Sequence, residues 1–199
     1  MIESAYAKSH FKPTEIAHRY GDHVHLIDDP LAWTQLARLC ARETSQPEVG
    51  RLVKVLYERL SAIVLAAEFP RTRIDVPTRM VASSPEAVYR GAGIARNTKA
   101  VTVGIARAGT MPSQCVYDLL NEVLDPAGVR QDHLFMSRQT DKEGRVTGAT
   151  WHDAKIGRDV DERSGLFPEP RGATGRADGG AAAAHNTRPT RRAGEASRG

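Results

Sequence analysis

The feature that most constrains the fold of this chain is an almost unbroken apolar run from Ala100 to Ala106. A run of this length is typical of a strand that is buried on both faces of a sheet. A turn that contains glycine follows, and the apolar residues after Pro112 are then spaced for one face of a helix that ends near Asp125 and Pro126. A strand, a turn and a helix in succession predict a βα unit, and therefore an α/β fold with a mainly parallel sheet flanked by helices.

Three further segments are predicted to extend this sheet. Residues 129–136 have the composition of a second strand, which is expected to end at Ser137 and Arg138. Residues 144–151 are expected to form part of a projecting hairpin, and residues 164–167 a short final strand. The parallel strands would then end at one edge of the sheet, where open α/β sheets bind ligands.

Two amphipathic helices are predicted in the N-terminal half. Asp28 and Asp29 precede Pro30, and an acidic residue followed by proline favours a helix start. Apolar residues at intervals of three and four predict a second helix from Val49 to about Ala67. Residues 70–80 alternate charged and apolar side chains between prolines, which suits an edge strand or an extended connection.

The two ends of the chain differ in composition from the part between them. Residues 1–22 are polar and mixed, which predicts a loose N-terminal arm. Residues 171–199 carry six arginines against two acidic residues, which accounts for the net charge of +4 of the whole chain. No large apolar residue follows Phe167, so residues 176–199 are predicted to be a disordered basic tail rich in Ala, Gly and Arg.

Several classes of protein are disfavoured by this composition. Because the excess of basic over acidic residues lies in the tail and the rest of the chain is neutral, the net charge does not indicate a nucleic-acid-binding face. No stretch approaches the ~20 apolar residues of a membrane span, so a cytoplasmic protein without a membrane partner is expected. The histidines lack metal-ligand spacing, and Cys40 and Cys115 are expected to be buried thiols on helices.

A candidate phosphate site lies between Leu166 and Gly175. Two apolar residues precede Glu169, and a turn of small residues that ends in Thr174 and Gly175 follows it. Backbone N–H groups in such a turn can point at an anion, and the Thr174 hydroxyl would add a donor. Spacing of this kind also occurs in ordinary surface turns.

The residues of this segment suggest a family. The stretch from Glu169 to Gly175 resembles the phosphoribosyl-diphosphate loop of uracil phosphoribosyltransferases, which has Asp-Pro-Met, a small or apolar residue and then Ala-Thr-Gly. Residues 103–109 look like the strand of that family that Arg-Ala-Gly follows, and residues 133–138 look like its second strand, which ends in arginine. Residues 29–31 and 42–45 are similar to its N-terminal helix and the turn after it. The resemblance covers residues 23–175, which would form a partial phosphoribosyltransferase-like domain.

The resemblance implies transfer of a phosphoribosyl group from 5-phosphoribosyl 1-diphosphate to uracil, which gives UMP and diphosphate. Arg107 and Arg138 would bind the diphosphate, Glu169 the ribose hydroxyls, and residues 173–175 the 5-phosphate. Mg²⁺ would arrive with the diphosphate, so no metal cluster of the protein is required. The full set of implied substrate-binding residues is Arg107, Ala108, Gly109, Arg138, Glu169, Pro170, Arg171, Gly172, Ala173, Thr174 and Gly175.

The chain departs from the pattern of the family at three places. Glu169 stands where the family has aspartate, and Arg171 replaces an apolar residue. After Gly175 the expected helix and the glycine-rich uracil-binding segment are replaced by the basic tail, so the sheet is expected to be incomplete at its C-terminal edge, as in a truncated or frame-interrupted member. An incomplete sheet exposes an edge, which favours a homodimer.

Two alternatives to an active enzyme follow from the same residues. A non-catalytic protein that binds phosphoribosyl diphosphate or a nucleotide, and acts as a regulator or partner, is favoured by the three departures. A nucleic-acid-associated protein would use the arginines of the tail, but no aromatic residues are interleaved with them.

Overall fold

The computed structural model describes residues 10–142, 146–157 and 163–169. The described residues up to 98, together with 118–128, form one compact unit, and those of 99–117 and 129–169 form the other. No helix in these ranges is long and apolar enough to cross a bilayer.

The first unit contains the two predicted N-terminal helices, α1 (Pro30–Cys40) and α2 (Glu48–Glu68). Asp29 is the N-cap of α1, and its carboxylate accepts hydrogen bonds from the backbone N–H groups of Leu31 and Ala32 at 3.1 and 3.2 Å. Arg59 of α2 binds the same carboxylate through two nitrogens. The hydrogen bond from Arg59, with support from the two N–H groups, lowers the pKa of Asp29 although partial burial opposes it. The predicted acidic start of α1 is therefore confirmed, and it also links α1 to α2.

A two-stranded antiparallel sheet follows α2. It consists of β1 (Arg71–Pro77) and β2 (Val88–Ile94), with Ile74 opposite Gly91. The expectation of an edge strand or extended connection at 70–80 is confirmed for residues 71–77, which form β1.

Two predictions for this unit are wrong in part. The N-terminal arm is not loose over its described end, because the N–H of Ile16 bonds to the carbonyl of Leu26 and the N–H of Asp28 bonds to that of Thr14, both at 2.8 Å. These bonds satisfy backbone groups that a free arm would leave to water. Cys40 is exposed, since it is the last residue of α1, a helix without any fully buried residue, whereas Cys115 is buried as expected.

The second unit is built on the predicted βα sequence. Its elements are β3 (Ala100–Ala106), the first part of α3 (Thr110–Val123), β4 (Val129–Thr140), β5 (Val146–Lys155) and β6 (Ser164–Leu166). The sheet order is β5-β4-β3-β6, with β3 parallel to both β4 and β6 and with β5 antiparallel to β4. A mixed α/β fold with a mostly parallel sheet is therefore observed.

The central strand β3 is buried on both faces, as its composition predicts. On one face Val101, Val103 and Ile105 form an apolar cluster with Leu134 of β4. Met136, Ala154, Ile156 and Phe167 pack against this cluster. On the other face Thr102 and Gly104 meet the start of α3, where Ser113 is also fully buried.

The end of the second parallel strand differs from the prediction. β4 continues to Thr140, so Arg138 lies within the strand and opposite Ala149 of β5. β3 pairs with β4 only as far as Ala106 and Phe135, and beyond that point β5 supplies the hydrogen-bonding partner. The antiparallel hairpin predicted around 144–151 is confirmed for residues 146–151, and it is this hairpin that lengthens β4.

Candidate functional site

The candidate site is the carboxyl end of β3 and the turn that joins it to α3. In this turn Arg107 and Ala108 are exposed and Gly109 is buried. The N–H of Gly109 bonds to the carbonyl of Ile105 at 2.8 Å, and the N–H of Ser113 bonds to the carbonyl of Gly109 at 2.9 Å. The peptide bond between Ala106 and Arg107 is cis. Backbone hydrogen bonds therefore close the turn at both ends, and the side chain of Arg107 is exposed to solvent.

Gly109 allows this turn to lie close both to the end of β3 and to the segment that follows β6. A Cβ atom at this position would lie 2.8 Å from the backbone nitrogen of Ile105, 3.0 Å from its carbonyl oxygen and 3.2 Å from the carbonyl oxygen of Pro168. All three neighbours are backbone atoms, which cannot rotate away as a flexible side chain can. The close approach therefore requires glycine at position 109. This approach places Pro168 in contact with the turn that follows β3.

The register of β6 explains why these two segments meet. β6 runs parallel to β3, with Ala100 opposite Ser164 and Thr102 opposite Leu166, so both strands end at the same edge. The chain then continues through buried Pro168 to half-buried Glu169. Gly109, at the end of the first stretch that carries the resemblance, and Glu169, the described residue at the start of the second, therefore follow adjacent strands although they are far apart in sequence.

The electrostatic character of this edge favours an anion. The guanidinium of Arg107 is exposed and has no ion pair with any residue of the described ranges. α3 begins at Thr110 and has no acidic residue in its first turn. The positive end of a helix dipole and an unpaired arginine both attract negative charge.

A buried polar network holds the start of α3 against the sheet. The hydroxyl groups of Thr102 and Ser113 are 3.0 Å apart, and the side-chain amide of Gln131 donates to the Ser113 hydroxyl at 3.1 Å. Both Thr102 and Ser113 are fully buried, so these bonds satisfy groups that cannot reach water. Sequence reasoning missed this network, for which the only signal is a hydroxyl residue inside the apolar run of β3.

The remaining predicted site residues stand apart from this turn or outside the described residues. Arg138 lies three positions beyond the last β3–β4 pair, which corresponds to about 10 Å along the strand. Residues 170–175, which would form the phosphate cradle, and the tail at 176–199 lie outside the described residues. Within the described ranges, no group of three or more His, Cys, Asp or Glu side chains is arranged to hold a metal ion.

Comparisons with known proteins identify a similar fold. No family model matches the chain, and no curated protein matches it either. Among solved structures, the AQ2163 protein from Aquifex aeolicus has a similar backbone, with a TM-score of 0.60. The match covers 80% of this chain and 69% of that protein at 15% sequence identity. At this identity the similarity shows the fold alone.

Proposed function

We propose that this chain binds 5-phosphoribosyl 1-diphosphate at the common edge of β3 and β6 and transfers its phosphoribosyl group to uracil. One observation carries the proposal: Arg107 and Glu169 follow two adjacent parallel strands, and Gly109 and Pro168 lie close together where these strands end. The resemblance assigns Arg107 to the diphosphate and Glu169 to the ribose. The uracil specificity comes from the resemblance.

The reaction explains the types of residue at this edge. The bond from the anomeric carbon to the diphosphate oxygen breaks, and diphosphate leaves with the bonding pair. A bond from that carbon to a ring nitrogen of uracil forms, and the proton of that nitrogen passes to the departing diphosphate or to water. Positive charge develops on the sugar while negative charge develops on the leaving group, so donors that face the diphosphate are stabilising.

Arg107 suits the diphosphate end of this substrate. Its guanidinium presents several N–H donors in a planar fork, which matches the oxygens of a phosphate group. The helix that starts at Thr110 adds the positive end of its dipole in the same turn. Mg²⁺ enters as part of the substrate complex and keeps mostly water and diphosphate oxygens as ligands.

The second candidate is a protein that binds the same sugar diphosphate without turnover. Glu169 favours it, because this side chain is one methylene longer than the aspartate of the family and would displace the carboxylate by about an ångström. The two candidates share the binding site and differ in turnover, so diphosphate release that depends on uracil separates them.

The binding step is tested by calorimetric titration of the full chain with phosphoribosyl diphosphate and Mg²⁺. Arg107→Ala removes a charge-assisted contact worth about 2 kcal/mol, so we expect the dissociation constant to rise roughly 30-fold. Arg79→Ala is the matched control, because Arg79 is an exposed arginine of the other compact unit. The proposed site would be excluded if both variants bound as tightly as the original chain. It would also be excluded if the folded original chain did not bind the substrate.

A further inference from the structure

The first unit contains a cavity that the proposed reaction does not use. Residues 14–28 form a hairpin, named here the N-terminal hairpin, in which Glu15 pairs antiparallel with Ile27. A cavity of about 480 Å³ lies between the N-terminal segment and α2. Cavities of about 300–1,000 Å³ with mostly apolar walls are typical of small-molecule sites. The apolar walls of this cavity are formed from both sides, by Phe11, Pro13 and Ile27 of the N-terminal segment and by Ile63, Val64 and Ala67 of α2.

The pairing of the N-terminal hairpin explains why these walls meet. Side chains of paired residues lie on one face, and side chains alternate along an extended chain, so Glu15, His25 and Ile27 point to the same side. That side lies against α2, on which Ile63 and Ala67 are one helical turn apart. The cavity therefore receives both apolar and polar side chains from one face of the hairpin.

The charged groups of the cavity are mainly negative. Apart from two histidines, its ionisable side chains are those of Glu15, Glu68 and Lys12, so two carboxylates against one ammonium give a net charge of −1. Nδ1 of His25 and Oε1 of Glu15 are 3.1 Å apart, which leaves Oε2 of Glu15 to accept further hydrogen bonds. Within the described ranges the carboxylate of Glu68 has no ion pair. The cavity thus offers acceptors that favour a positively charged ligand.

The end of α2 adds to this negative potential. Glu68 is the last residue of the helix, and the last turn contains no basic residue. The C-terminus of a helix is the negative end of its dipole, so a carboxylate there is unfavourable unless a cation neutralises it. Arg71 donates to the carbonyl of Ala66 at 2.8 Å, but Arg71 does not line the cavity. A cation inside the cavity would therefore be attracted both by the carboxylates and by the end of the helix.

An organic cation suits these groups better than a metal ion. Within the described residues no group of three or more His, Cys, Asp or Glu side chains is arranged to hold a metal, and a metal ion would leave the apolar walls uncovered. A primary ammonium has three N–H donors, which carboxylates accept in charge-assisted hydrogen bonds. The rings of Phe11, His23 and His25 line the same cavity, and aromatic rings pack favourably against one another.

We propose that this cavity binds a primary amine that carries an aromatic ring, with its ammonium group at Glu15 and Glu68 and its ring against the apolar walls. Burial of the ring supplies most of the affinity, and the carboxylates select the positive charge. The cavity is formed by residues of the first unit alone, whereas the proposed phosphoribosyl-diphosphate site belongs to the second. The inference therefore does not depend on the proposed function.

Calorimetric titration of the full chain with tryptamine tests the site, with indole-3-acetate as the matched ligand. Both molecules carry an indole ring, but indole-3-acetate has a carboxylate in place of the ammonium group. We expect tryptamine to bind at least roughly tenfold more tightly. The double variant Glu15→Gln/Glu68→Gln removes both negative charges and is expected to weaken tryptamine binding roughly tenfold or more. Glu43→Gln is the control, because Glu43 is exposed in the same unit and outside the cavity.

Ala67→Trp tests the cavity itself. Ala67 is exposed on α2, so a larger side chain there fills the cavity and leaves both carboxylates in place, and a melting curve verifies that the variant is folded. We expect it to lose tryptamine binding. The ring-proton signals of His23 and His25 in NMR spectra should shift with tryptamine in the original chain and stay unchanged in Ala67→Trp. The proposal would be overturned if the folded original chain did not bind tryptamine or bound both ligands equally. Unweakened binding by the double variant or by Ala67→Trp would also overturn it.

Discussion

Replacement of Gly109 by alanine is the substitution whose cost the geometry defines best. The added Cβ would lie 2.8, 3.0 and 3.2 Å from three backbone atoms of Ile105 and Pro168. Relief of such overpacking typically costs 1–3 kcal/mol, and lengthening of the hydrogen bond from Gly109 to Ile105 adds about 1 kcal/mol. We therefore expect a loss of about 2–4 kcal/mol, which corresponds to a melting temperature lower by roughly 5–15 °C.

Two other glycines of the same unit provide a graded control. At Gly165 the nearest atom to an added Cβ is Cε2 of Phe167 at 3.5 Å, an ordinary contact, so Gly165→Ala should change stability by less than about 0.5 kcal/mol. At Gly104 the nearest atom is Cβ of Ser113 at 3.2 Å, so the effect should be intermediate. Thermal unfolding of the three variants is the assay. If Gly109→Ala melts with the original chain, or if Gly165→Ala is equally destabilised, backbone proximity does not explain the glycine.

Three further outcomes are expected. Asp29→Asn should lower the melting temperature at neutral pH. Because the folded-state pKa of Asp29 is depressed, the difference should begin to shrink as the pH falls below the ordinary value of 3.8 and should disappear once the pH is below the folded-state pKa; melting curves between pH 2 and 7 check this. Leu134→Ala should cost 2–5 kcal/mol in chemical denaturation, since this side chain is fully buried in the apolar cluster. Thr102→Val should cost about 1 kcal/mol in the same assay, because Ser113 keeps its bond from Gln131 when the bond to Thr102 is lost.

The parts of the fold that were predictable are those that local chemistry determines. The carboxylate of Asp29 reaches the N–H groups of the residues that follow it, so the start of α1 depends on neighbours in sequence. The run at Ala100–Ala106 has no amphipathic alternation, which leaves burial on both faces as the only suitable environment. Both features can be recognised without knowledge of the rest of the chain.

The parts that were missed depend on partners far away in sequence. The end of β4 is set by β5, which continues the hydrogen bonding past the last β3 pair and carries Arg138 into the hairpin. No pattern within residues 129–138 indicates that a later strand pairs with β4 and extends it past Arg138. The approach of Gly109 to Pro168 likewise joins two segments whose proximity exists only once β6 has paired with β3.

The backbone directly before Glu169 is held by contacts within the second unit. β6 is three residues long, so its ladder with β3 is short. The chain beyond it is held by Phe167, which packs against the apolar cluster, and by the contact between Pro168 and the turn at Gly109. These contacts hold the backbone of Phe167 and Pro168 at the edge of the sheet. Position 169 holds a glutamate where the family that the chain resembles has aspartate, and this difference concerns the reach of one carboxylate and not the contacts of Phe167 and Pro168. Arg107 variants and Glu169 variants therefore test two separate parts of the proposed site.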